Sequence, residues 1–89
     1  MLPKNRPPTH PGEILLEEFL KPRGMSQSAL SAHLEIPLQR VNTIVNGKRG
    51  ITAETAILLA RFFETTPELW MNLQTQYDLW MAEREMGRA

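Results

Sequence analysis

The residues whose types and spacing could do chemistry lie mainly in one short segment, residues 38–46. Apolar residues there alternate with polar side chains that suit the edges of DNA bases. Arginine donates two hydrogen bonds to guanine, glutamine or asparagine pairs with adenine, and the threonine methyl group packs on that of thymine. The predicted base contacts are Gln39, Arg40, Asn42 and Thr43, with Arg40 the strongest candidate. For Asn42, which lies closer to the flank, a phosphate contact is the alternative. The alternative is a polar helix face that is simply solvated.

A second group of residues, on either side of this segment, suits contacts to phosphate. Ser26 and Gln27 fall at the predicted start of a helix, where free backbone N–H groups attract anions. Lys48 and Arg49 follow the segment in an Asn-Gly-Lys-Arg-Gly turn. The predicted phosphate contacts are therefore Ser26, Gln27, Asn46, Lys48 and Arg49.

Apolar periodicity and helix-capping residues predict an all-α protein of five helices that position these side chains. The helices are expected to begin near Pro11, Ser26, Leu38, Thr52 and Pro67. About four residues separate the second helix from the third. A turn that short makes the two helices cross, as in a helix-turn-helix, whose second helix enters the major groove.

The length of 89 residues allows one domain, within which three parts are expected. Residues 1–10 form a flexible, basic, Pro-rich arm, and residues 11–66 form the DNA-binding core. Residues 67–89 contain the last helix, which is assigned to dimerisation.

Large apolar side chains recur at helical spacing along that last helix. They are Trp70, Leu73, Tyr77, Trp80 and Met81. Tryptophan, tyrosine and methionine are enriched at interfaces, so this stripe predicts a two-fold dimer. Such a dimer would place two third helices about 34 Å apart, which suits a palindromic operator. The alternative is that the stripe belongs to the intramolecular core.

Several segments also resemble a known family. Residues 25–36 and 41–49 look like a lambda-repressor-like helix-turn-helix. Three others are similar to HigA-type antitoxins: His-Pro-Gly-Glu-Ile-Leu at 10–15, Gly-Ile-Thr-Ala-Glu-Thr-Ala at 50–56, and Trp-Met-Asn-Leu-Gln with Tyr-Asp-Leu over 70–79. Two positions depart from the usual motif. Ser31 stands where most such motifs have alanine, and Glu35 stands where most have glycine.

The resemblance implies a HigA-type antitoxin that binds a HigB toxin, a RelE-like mRNA-cleaving ribonuclease, and represses its own operon as a dimer. Glu13, Glu17 and Glu18 are candidates for contacting a basic toxin surface, although a solvated face explains them equally well. The alternatives are a stand-alone helix-turn-helix regulator without a toxin and a protein-interaction module that does not bind DNA.

The sequence offers little support for catalysis. It contains no cysteine and two histidines, and no metal-binding, phosphate-loop or nucleophile motif is present. We expect no enzymatic activity, no metal, no cofactor and no small-molecule ligand. No apolar run could span a bilayer and no signal peptide opens the chain, so the expected location is the cytoplasm.

The net charge of zero conceals an uneven distribution. Residues 1–24 carry +1, residues 25–50 carry +2, and residues 51–89 carry −3. A neutral chain is therefore compatible with DNA binding through its basic central part. The acidic far end would face away from phosphate or towards a basic toxin.

Overall fold

The computed structural model describes residues 8–87, so residues 1–7 of the predicted arm lie outside the described residues. Over the described range the chain is helical and contains no strand, which confirms the all-α prediction of five helices. The helices are α1 (Pro11–Ile14, continued by a wider helical segment, Leu15–Leu20), α2 (Gln27–Leu34), α3 (Leu38–Val45), α4 (Ala53–Phe63) and α5 (Pro67–Glu85).

Side-chain caps explain why four of these helices begin where they do. Each cap accepts a hydrogen bond from a backbone N–H that has no partner inside its helix. The cap residues are His10, Ser26, Thr52 and Thr66. The expected helix starts are thus confirmed.

The segment Leu15–Leu20 is π-helical, whereas the apolar spacing predicts a regular α-helix. The Lys21 N–H donates to the Leu16 carbonyl at 2.9 Å, five residues back. This wider turn brings residues five apart close to one face. Leu15 and Leu20 are therefore both buried, and both side chains belong to the core.

Helices α2 and α3 form the helix-turn-helix. The turn is residues 35–37, three residues where about four were expected, because α3 begins directly after Pro37, whose side chain makes no capping hydrogen bond. Glu35 adopts a left-handed conformation with φ 57° and ends α2. The Ile36 N–H then donates to the Ser31 carbonyl at 3.1 Å and closes the turn. Glu35 therefore adopts the left-handed conformation that glycine adopts without steric strain.

One core joins all five helices. Its centre is Trp70, whose ring lies 5.0 Å from that of Phe19 and whose Nε1 donates to Thr65 Oγ1 at 2.9 Å. The other buried apolar residues are Leu15, Leu20, Leu30, Leu34, Val41, Ile44, Ile51, Ala56, Leu59, Ala60 and Phe63. Only the first half of α5 contributes buried residues to this fold, Trp70 and Gln74.

No helix within residues 8–87 combines the length and the apolar character that crossing a membrane requires.

Candidate nucleic-acid interface

Helix α3 presents one face to the core and the opposite face to solvent. Val41 and Ile44 are buried one turn apart. With 3.6 residues per turn, Gln39 falls almost opposite their midpoint, and it is exposed. Asn42 and Thr43 flank it and are half-buried. Three of the four predicted base contacts therefore lie on or beside the outward face.

Arg40, the fourth predicted base contact, lies at the edge of that face and is half-buried. It lines a shallow cleft between α3 and the start of α4. The cleft is formed by Arg40, Arg49, Gly50, Thr52, Glu54 and Thr55. Two arginines and one glutamate, Glu54, thus line this cleft beside the N-terminus of α4. The excess positive charge and the helix dipole both favour an anion there.

The basic loop, residues 46–52, is built directly on the end of α3. The Thr43 carbonyl accepts from the backbone N–H groups of Lys48 at 2.9 Å and Arg49 at 3.2 Å. The Thr43 hydroxyl donates to the Arg40 carbonyl at 3.0 Å, which leaves its methyl group for an apolar contact. Asn46, Lys48 and Arg49 are all exposed.

The two phosphate contacts predicted on α2 lie at its N-terminus. Ser26 Oγ accepts from the Ala29 N–H at 3.0 Å as the helix cap, and Ser26 remains exposed. Gln27 is half-buried at the first helical position. Both therefore lie where the helix dipole attracts an anion.

Helix α1 braces α3 through an unusually close approach. A Cβ added at Gly12 would lie 1.8 Å from the Ile44 carbonyl oxygen. His10 caps α1, with its Nδ1 accepting from the Gly12 N–H at 2.9 Å. Burial lowers the pKa of His10 below the ordinary 6.5, against the opposing charges of Asp78 and Glu13. The neutral imidazole that the cap requires is thereby favoured.

Leu38 is a surface residue that sequence reasoning did not select. It is the first residue of α3 and is exposed. Its apolar character and its spacing from Val41 indicate a core position, but α3 begins at this residue and 41% of it remains exposed. An exposed leucine at the start of α3 suits contact with a thymine methyl.

The stripe predicted as a dimer interface divides into two parts. Trp70 is 0% exposed, so its assignment to the interface is wrong, because it fills the centre of the intramolecular core. Leu73, Tyr77 and Trp80 are half-buried, and Met81 is 42% exposed. Sequence reasoning missed Leu79 and Met86 as exposed apolar residues, at 57% and 81%.

The three glutamates considered for toxin contact, Glu13, Glu17 and Glu18, are all exposed on the first helical segment. Glu17 pairs with Lys21 across one turn at 2.9 Å, an exposed pair of the kind that adds little stability. Within residues 8–87, no group of three or more histidine, aspartate or glutamate side chains is placed to hold a metal ion.

Comparison with known proteins agrees with this geometry. A family model described as helix-turn-helix matches residues 16–70. A solved structure of a HigA-family addiction module antidote protein from Coxiella burnetii is 53% identical, with a TM-score of 0.87 over 93% of this chain and 90% of that one. The Pseudomonas aeruginosa antitoxin HigA, solved with the higBA promoter, is 46% identical, with a TM-score of 0.89 over 91% and 88%. Antitoxin HigA-1 of Vibrio cholerae is 40% identical over 84% of this chain and 70% of its own length.

This family consists of DNA-binding antitoxins and regulators and not of enzymes, in agreement with the expectation from sequence. Because the helix-turn-helix model matches residues 16–70 and these HigA relatives are 40–53% identical, the chain belongs to the HigA-type antitoxins of the helix-turn-helix family.

Proposed function

We propose that this protein is an antitoxin that represses its own operon by binding operator DNA as a dimer and that neutralises a RelE-like, mRNA-cleaving toxin. The observation that supports DNA binding best is the exposed polar face of α3, which continues directly into the basic loop. The Pseudomonas relative of the same fold was solved with its promoter.

In this proposal α3 reads bases in the major groove, and the surrounding elements contact phosphate. Base contacts come from Gln39, Arg40, Asn42 and Thr43, and phosphate contacts come from Ser26, Gln27, Asn46, Lys48 and Arg49. The salt dependence of binding tests the role of Arg40. If Arg40→Ala weakens operator binding without changing the salt slope, Arg40 contacts a base, and a slope lowered by about 0.9 marks a phosphate contact.

The proposed dimer forms through the second half of α5 and the residue that follows it, where Leu79, Met81 and Met86 are exposed. Residues 11–66 then act as the DNA-binding core and residues 67–89 as the dimerisation helix. Replacing Leu79 with arginine is expected to give a monomer in sedimentation at tens of micromolar and to weaken binding to a palindromic operator. For sedimentation, Ser28→Arg, an exposed change on α2 outside the proposed interface, is the matched control and keeps the dimer. Because Ser28 adjoins the proposed phosphate contacts Ser26 and Gln27, this variant is not used as a control for DNA binding. A wild-type monomer would exclude this arrangement.

The proposed toxin surface includes Glu13, Glu17 and Glu18, which can attract a basic ribonuclease. Co-expression with the neighbouring reading frame tests this role: we expect co-purification of the two products and rescue of growth. The triple variant with glutamine at these positions should lose rescue while it still binds DNA. Promoter binding by the wild type without any rescue would instead identify a stand-alone regulator.

Binding of the full chain to its own promoter, followed by gel shift or fluorescence anisotropy, tests the DNA-binding half of the proposal. Specific binding should exceed binding to a scrambled duplex of the same length by at least about 10³-fold. Equal affinity for both duplexes would refute operator recognition.

A further inference from the structure

The basic loop is fastened to α5 at its C-terminal end by a buried amide. The Ile51 N–H donates to Gln74 Oε1 at 2.7 Å, although the two residues are 23 positions apart. Gln74 is only 8% exposed. Its Nε2 donates in turn to Asp78 Oδ1 at 2.8 Å, one turn further along α5. The amide thus uses its acceptor on the loop and its donor on α5.

The other end of the loop also rests on α5, through His10. Gly47 has φ +76°, and a Cβ there would lie 3.8 Å from His10 Cγ. The His10 ring packs edge-on against Tyr77 with centroids 4.8 Å apart. Gln74 and Tyr77 are three residues apart and therefore share one face of α5. One face of a single helix consequently supports both ends of the loop.

Gly50 lets the loop backbone lie directly on the glutamine amide. A Cβ added at Gly50 would lie 3.0 Å from Gln74 Cδ and from Gln74 Nε2. That distance is too short for the amide to remain where it is. Glycine at position 50 therefore leaves room for the amide, and Ile51, buried beside it, anchors the loop in the core.

The three segments that are similar to HigA-type antitoxins meet at this point. Residues 10–15 contribute the imidazole, residues 50–56 the Ile51 N–H, and residues 70–79 the amide, the phenol ring and the carboxylate. None of these groups is among the proposed DNA contacts, so the convergence needs a separate explanation.

We propose that Gln74 is a positioning residue for DNA binding, whose buried amide holds the basic loop in the conformation that presents Lys48 and Arg49 to phosphate. This inference rests on the proposed DNA-binding function. A loop that is already ordered loses less conformational freedom when it binds. Without the amide, the buried Ile51 N–H has no acceptor, and opening of the loop towards water becomes more favourable.

The first test removes the amide. Gln74→Met keeps the length of the side chain but has neither the carbonyl acceptor nor the donor. We expect the operator Kd to rise roughly five- to tenfold and the salt slope to fall by about 0.9 for each phosphate that the loop no longer reaches. Leu59→Ala, which removes a fully buried leucine from α4, is the stability control. It should lower the Tm while the Kd measured well below the Tm stays unchanged.

The second test exchanges the amide and the carboxylate between Gln74 and Asp78. Gln74→Glu keeps an acceptor for Ile51 but places its second carboxylate oxygen against Asp78, so binding should weaken. Adding Asp78→Asn supplies an amide donor to that oxygen and keeps the net charge of the wild type. The double variant is expected to restore the operator Kd to within about twofold of the wild type. Failure of the double variant to recover binding would overturn the proposal.

Amide hydrogen exchange on the free protein supplies a measurement that does not depend on DNA. Exchange at Lys48, Arg49 and Ile51 should accelerate in Gln74→Met and also in Gly50→Ala, which pushes on the amide from the loop side, while exchange in α2 stays unchanged. If loop exchange responds but the wild type does not bind its promoter, the proposed function fails and the holding of the loop stands. If the wild type binds DNA and Gln74→Met and Gly50→Ala alter neither loop exchange nor Kd, Gln74 has no positioning role.

Discussion

Replacing Glu35 with glycine is expected to stabilise the protein without changing its affinity for DNA. Glu35 holds φ 57° and ψ 44° at the end of α2, a left-handed conformation that costs a residue with a Cβ about 1–2 kcal/mol. Glycine adopts this conformation freely, but it loses about 0.5–1 kcal/mol more conformational entropy on folding. From the midpoints of these two ranges, the difference is a net gain of about 0.75 kcal/mol in the free energy of unfolding.

Urea denaturation and thermal melting measure this gain. For a domain of this size, a gain of about 0.75 kcal/mol should raise the Tm by about 3–6 °C. Glu35→Ala is the matched control, because alanine lacks the carboxylate but keeps the Cβ and hence the strain. Comparing the two variants separates the effect of the backbone from the effect of charge.

Operator affinity should be the same in the glycine variant and the wild type, because the turn before α3 already has the geometry that glycine prefers. The reasoning would be refuted if Glu35→Gly were no more stable than Glu35→Ala, since the left-handed conformation would then carry no cost. A changed operator Kd would show that the glutamate itself takes part in placing α3.

Four other changes have defined outcomes. Gln39→Ala should weaken operator binding by about 1–3 kcal/mol and relax the preference at one base pair, which binding to a panel of mutated operators can show; an unchanged preference at every position would contradict it. Lys48→Ala should weaken binding to all sequences alike and lower the salt slope by about 0.9, whereas an unchanged slope would place Lys48 away from phosphate. Gly12→Ala, whose Cβ would lie 1.8 Å from the Ile44 carbonyl oxygen, should lower the free energy of unfolding by about 1–3 kcal/mol, and wild-type stability in urea would argue against that close approach. Because burial lowers the pKa of His10 below 6.5 in the folded state, the unfolded chain takes up the proton first, and stability should fall as the pH drops below about 6.5. In His10→Asn, which keeps an N-cap acceptor, that part of the pH dependence should disappear, and pH–stability profiles of the same shape would count against the assignment.

Much of the local structure could be predicted because it depends on neighbouring residues. Ser26, Thr52 and Thr66 each cap the helix that begins next to them, and a capping hydrogen bond spans only three residues. The polar face of α3 also follows from its periodicity, since Val41 and Ile44 can be buried only if Gln39 faces outward.

The predictions for α5 were less successful, because periodicity places a side chain on a face of a helix but does not say what covers that face. Trp70 and Met81 lie on the same predicted stripe, yet the first is in the core and the second is exposed. The difference arises because the core is complete by the middle of α5, and the remainder of the helix extends past it.

The amino-acid sequence alone determined the five helices, the helix-turn-helix and the polar face of α3, because each depends on contacts within a few residues along the chain. Tertiary structure alone decided the rest: the burial of Trp70, the place of Arg40 beside the start of α4, and the hydrogen bond between Ile51 and Gln74. Those groups are far apart in sequence, and which of them meet depends on how the helices pack.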